Sequence, residues 1–122
     1  MSSLLGIWIF TAVIYQGHLM DPPNPNLHLY YTFMSETRNE IYYYRDDEKG
    51  FCKRWADYSA NEHSIEQTVV EVDPTNMDSC SNDSDMLMNS HSLVKYEITN
   101  DQLYLHLPLG EEEIVYIFSR TQ

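Results

Sequence analysis

Apolar and polar residues alternate along most of this chain with the period of two that marks β-strands. Leu27, Leu29, Tyr31 and Phe33 share one face, as do Ile114, Tyr116 and Phe118 near the other end. The pattern predicts strands over residues 6–16, 28–35, 39–46, 51–59, 64–72, 92–99, 102–108 and 112–120. Residues 6–16 are apolar on both faces, which predicts a strand covered on both sides. Between strands the punctuation is explicit. Asp21-Pro22-Pro23-Asn24-Pro25 disfavours both helix and ladder pairing, so residues 17–26 read as a connecting loop. Residues 46–50 end on Gly50 and read as a hairpin turn, and Asn100-Asp101 reads as a two-residue turn. From 73 to 90 the periodicity vanishes into a polar loop interrupted by Met86, Leu87 and Met88. A loop that long inside a small domain is commonly a functional segment.

Eight strands with hairpin-length links and no helical period predict an all-β fold. The best solution is an eight-stranded antiparallel up-and-down barrel, because closure removes exposed edges and leaves an interior able to hold one small ligand. A two-sheet sandwich is the alternative. The 122 residues suit a single domain, 1–122, and no apolar run reaches the ~20 residues of a membrane-spanning helix.

Composition narrows the function. Hydrophobic residues make up 43% and aromatic residues 13% of the chain, enough for a real core. The net charge of −12 argues against nucleic acid and anionic membranes as partners, since phosphate is bound by Lys and Arg. The charge is uneven: residues 1–61 are net −2, whereas residues 62–122 are net −10, with Lys95 and Arg120 as their only bases. Such a half either keeps the protein soluble or steers a cationic partner.

Cys52 and Cys80 lack zinc or redox spacing and are compatible with one disulfide or with two free thiols. A bridge would pin the long polar loop to a strand and imply an oxidising compartment. Residues 2–15 superficially resemble an export signal, but they have no basic start or small-residue cleavage site, and Trp8, Thr11 and several β-branched residues favour a strand. Met1 before Ser2-Ser3 reads as an initiator standing in place of a removed leader, so the expected location is secreted or periplasmic.

The two ends of the chain carry a resemblance. The first strand opens Gly6-Ile7-Trp8, and the last ends Tyr116-Ile117-Phe118-Ser119-Arg120. This resembles the lipocalin-like (calycin) barrels, and within them a short bacterial-type domain. Those barrels carry Gly-x-Trp at the start of the first strand and an Arg near the end of the last. The resemblance implies that Arg120 packs over Trp8 and closes the bottom of the barrel, and that the interior binds a small molecule. Guanidinium–indole stacking contributes about 0.5–2 kcal/mol. The chain departs from typical lipocalins in having no helix after the barrel. It departs from fatty-acid-binding relatives in having no helical lid, and from the avidins in having only Trp8 and Trp55 to offer biotin.

Ten tyrosines crowd a chain with four phenylalanines. Tyr30-Tyr31 and Tyr42-Tyr43-Tyr44 place rings on both faces of neighbouring strands, so some point inward. Tyr31, Phe33, Tyr43, Tyr116 and Phe118 are the candidate interior ligand residues for a hydrophobic or aromatic small molecule, and the other possibility is that they simply fill the barrel. Met86, Leu87 and Met88 are a lid, a partner contact or an anchoring tuck. The five histidines show no metal-binding spacing, and Asp78, Asp83 and Asp85 lack the calcium-loop pattern. Nucleophile elbows and phosphate-binding glycine loops are missing, so neither an enzymatic activity nor a cofactor is expected. The second functional class is an interaction or inhibitor protein that meets a basic partner through the acidic second half and the 73–90 loop.

Overall fold

The computed structural model describes residues 3–121. Its strands are β1 (Gly6–Tyr15), β2 (His18–Met20), β3 (Leu27–Phe33), β4 (Arg38–Arg45), β5 (Cys52–Ala60), β6 (Ser64–Val72), β7 (His91–Thr99), β8 (Gln102–Leu109) and β9 (Glu112–Arg120). Each strand from β3 to β9 pairs antiparallel with the next, β1 pairs with β3, and β9 returns to pair with β1. This closes an eight-stranded antiparallel barrel, with β2 as a short addition. The β1–β9 ladder excludes the sandwich alternative. The only helical structure among the described residues is two 3₁₀ turns, Asp78–Asn82 and Ser84–Met86.

Closure needs bent strands, and two bulges supply the bend. In β1 the register slips between Phe10 and Ala12, so the inward series runs Trp8, Phe10, Val13, and Thr11 faces outward to donate to the Ile117 carbonyl. A second slip lies between Trp55 and Ala56. The expectation that residues 6–16 are covered on both sides is corrected here. Ile7 on the outer face is 45% exposed, because a single closed sheet has nothing packed outside it. Residues 17–26 also need revision, since they contain β2. Gln16 and Gly17 both take positive φ, the geometry of a tight two-residue hairpin turn, and return the chain along the end of β1 before the proline run. Readings made for Met1 and Ser2 lie outside the described residues.

Antiparallel order gives the barrel two unlike ends. At one end, Trp8 is completely buried and its indole N–H donates to the Leu4 carbonyl at 2.8 Å. The Arg120 guanidinium lies 4.1 Å from the Trp8 ring centroid and donates to the carbonyls of Leu5 (2.7 Å) and Ser3 (2.6 Å). Gly6 makes this possible: its φ of +120° is unfavourable for other residues, and a Cβ there would sit 3.3 Å from Arg120 Nη1. Above this plug Phe33, Tyr58, Ile65 and Leu103 fill the lower half of the barrel.

Candidate functional site

The upper half is hollow, and the sizes of its side chains explain why. In the lower half the inward positions carry Trp8, Phe33 and Tyr58, and their rings pack up to the cavity floor: Phe33 lies 5.0 Å from Tyr58 and 4.5 Å from Tyr31, which lies 6.0 Å from Phe118. Higher up, the inward positions of β3, β7 and β8 carry Leu27, Leu29, Ser92, Val94 and Leu105, which are too short to meet their opposites. A cavity of about 590 Å³ remains, within the range of small-molecule sites.

Four of the five predicted interior residues line it: Tyr31, Tyr43, Tyr116 and Phe118. Phe33 does not. It sits below the cavity, 1% exposed, packed between Tyr31 and Tyr58 in the filled half. The inward tyrosines Tyr31, Tyr43 and Tyr116 thus line the cavity, while Phe33 and Tyr58 fill the barrel below it. The cavity tyrosines are also held neutral. Burial pushes Tyr31 up to about 12, and burial likewise raises Tyr43 and Tyr116, so all three remain O–H donors at ordinary pH.

One wall is polar. Tyr31 donates to Gln67 Oε1 at 2.6 Å, Asn39 Nδ2 donates to the same oxygen at 3.0 Å, and Gln67 Nε2 donates to Ser92 Oγ at 3.2 Å. Behind them Arg54, 1% exposed, donates to Asn39 Oδ1 and to the Asp85 carbonyl. Burial holds the Arg54 pKa below its ordinary value, opposed mainly by Tyr31 and by Asp85 and Asp83. Asn39, Arg54, Gln67 and Ser92 belong to no sequence motif, yet the first three carry a signal. Asn39 is in phase with Ile41 and Tyr43, Arg54 with Cys52 and Ala56, and Gln67 with Ile65 and Val69. A polar residue on the inward phase of a strand is the mark of an internal network.

The 73–90 loop covers part of the mouth. Cys52 and Cys80 are joined in a disulfide, Cα–Cα 5.7 Å, and hydrogen bonds extend the attachment: Met77 N–H to Phe51 O, Asp73 N–H to Lys53 O, and the Asn76 amide with the Lys53 backbone. The loop then crosses to β4, where Tyr43 donates to Asp83 Oδ2 at 2.8 Å. Of the three apolar loop residues, Met86 is buried against Tyr43 and the disulfide as an anchor, while Leu87 and Met88 are 44% and 49% exposed. Among the described residues no His, Cys, Asp and Glu cluster is arranged to hold a metal, and no helix is long and apolar enough to cross a membrane.

This architecture can be set beside known proteins. No protein-family model matches the chain, and no curated protein matches it either. A solved structure, a lipocalin-like protein from Bacteroides uniformis ATCC 8492, superposes with a TM-score of 0.62 over 97% of this chain and 98% of that one, at 17% identity. The fold is lipocalin-like. At this identity the likeness describes the barrel and its closure, and the cavity chemistry rests on the residues above. The lipocalin-like barrel expected from Gly6, Trp8 and Arg120 is thus the observed one.

Proposed function

We propose that this lipocalin-like protein binds a hydrophobic or aromatic small molecule in the upper half of its barrel, without chemical conversion. The observation that carries the reading is the cavity itself: about 590 Å³, walled by leucines, Val94 and aromatic rings, with hydroxyls and an amide on one side to orient a ligand. Trp8 and Arg120 close the opposite end, so the ligand enters past the 73–90 loop. The disulfide suits an oxidising compartment, which supports a secreted or periplasmic location.

Titration with the neutral fluorophore N-phenyl-1-naphthylamine tests the proposal. Wild type should show saturable binding, competed by apolar aromatics, and Leu29→Trp or Val94→Phe should weaken it at least tenfold by filling the space. Absence of saturable binding to wild type by any of a panel of apolar probes overturns the reading.

A second reading, a contact for a basic protein, is favoured by one observation: Leu87 and Met88 stand exposed in a loop that carries four aspartates and no base. Binding of that kind should weaken steeply with ionic strength, whereas capture of a neutral apolar molecule should hardly change.

A further inference from the structure

The barrel is electrically polar along its axis. Four stretches lie at the open end: residues 16–26 with β2, 46–51, 73–90, and 110–113, the last being the β8–β9 turn with the first two residues of β9. Together they hold eleven acidic residues and one base, Lys49, which is ten of the chain's twelve net negative charges. The strands and the connections at the plugged end nearly balance. A molecule approaching the cavity therefore crosses a strongly negative rim, and such a rim raises the local concentration of cations and lowers that of anions.

The charge continues into the cavity. Asp83 and Asp85 both line it, beside the apolar wall and the rings of Tyr43 and Tyr116. Asp83 accepts from Tyr43 O–H and from the Asp85 N–H, and neither carboxylate forms an ion pair among the described residues. The two nearby guanidiniums are already engaged. Arg45 lies over the Tyr43 ring at 5.4 Å and 3.8 Å from Glu48, and Arg54 is tied to Asn39 and the Asp85 carbonyl behind the wall. The mouth thus already holds one cation between an aromatic face and a carboxylate, and the Asp83 and Asp85 carboxylates, though near Arg54, are bridged by no guanidinium.

Taking the cavity as a ligand site, as proposed above, we infer that its ligand is a cationic amphiphile: an apolar body in the barrel and a protonated amine at the mouth, between the Asp83 and Asp85 carboxylates and the tyrosine rings. Electrostatic attraction and ring–cation contact then act on the same group.

Three ligands of equal chain length isolate the charge: decylamine, decanol and decanoate, each competing with N-phenyl-1-naphthylamine at neutral pH and low salt. Decylamine should bind at least tenfold tighter than decanol, and decanoate weakest. Asp83→Asn/Asp85→Asn should cut the preference for decylamine over decanol to within threefold, and added salt should weaken decylamine selectively. Decanol binding as tightly as decylamine, or decanoate binding tightest, overturns the inference and leaves the apolar-ligand reading standing. A preference that survives the double substitution overturns the assignment to these two carboxylates. Failure of all three to displace a probe that itself binds saturably overturns the inference alone, whereas absence of saturable probe binding overturns the apolar-ligand reading beneath it.

Discussion

Reducing the Cys52–Cys80 bridge should destabilise the protein without opening it. The cross-link spans 28 residues, and on the chain-entropy account closing such a loop removes denatured-state entropy equivalent to about 3.6 kcal/mol at 25 °C. With a urea m-value of about 1–3 kcal/mol/M for a domain of this size, the midpoint should fall by between about 1.2 and 3.6 M on reduction. Reduced wild type is the right comparison, because both sulfurs stay in place and the packing of Cys52, Cys80 and Met86 is kept. Under native conditions the loop should remain docked. Its backbone is bonded to Phe51 and Lys53, Asn76 bonds the Lys53 backbone through both its oxygen and its amide nitrogen, and Tyr43 holds Asp83. Urea denaturation with and without reductant, read by circular dichroism, gives the stability; probe affinity in the same two states gives the native geometry. A midpoint shift below about 0.5 M would refute the denatured-state argument, and a large change in probe affinity on reduction would refute the claim that hydrogen bonds and Met86 packing keep the loop in place without the bridge.

Two further perturbations address the plug and the outer face. Arg120→Ala removes two charge-assisted hydrogen bonds and the stacking on Trp8, so it should cost about 2–4 kcal/mol of unfolding free energy, with Arg120→Lys recovering less than half; a loss under about 0.5 kcal/mol would deny the pair a closing role. His106 stands 2.9 Å from Glu97 and 2.8 Å from Glu113, and although burial alone would lower its pKa, the two carboxylates outweigh burial and raise it above 6.5. A raised folded-state pKa gives stability that is complete below the unfolded value and lost as pH rises through the folded value. The stability gap between wild type and His106→Gln should therefore be widest in mild acid and narrow above neutrality, and a gap that widens with pH would reverse the assignment.

The fold was legible because alternation is a strong code: a strand with one face inward must place every second residue in the core, and a slip of one residue turns every side chain around. The eight barrel strands follow from that rule alone. Where it misled, a second influence was present. Thr11 is the extra residue of a bulge, so the first strand's apolar residues change face midway and read as if both faces were buried. His18–Met20 pairs with β1 through a turn made by Gln16 and Gly17, which is hidden by the proline run that follows. Phe33 was grouped with the ligand residues because it shares their face. Its height along the barrel is what separates it from them, and height depends on register between strands that are distant in sequence.

The same distinction between face and height reshapes the charge. Divided by sequence, the acids belong to the second half; arranged on the barrel, they belong to one end, because the acids of 46–48 from the first half join the 73–90 loop and Glu111, Glu112 and Glu113 at the turn into β9 around the mouth. An up-and-down barrel sends every second connection to the same end, so a chain can concentrate charge there without any run of like residues long enough to attract notice. Solubility alone has no need of such placement, since a coat spread over both ends would serve equally well. A negative rim around the one end that opens into an apolar cavity gives the placement a physical effect. On the ligand reading proposed above, it selects by charge at the mouth what the interior then holds by shape.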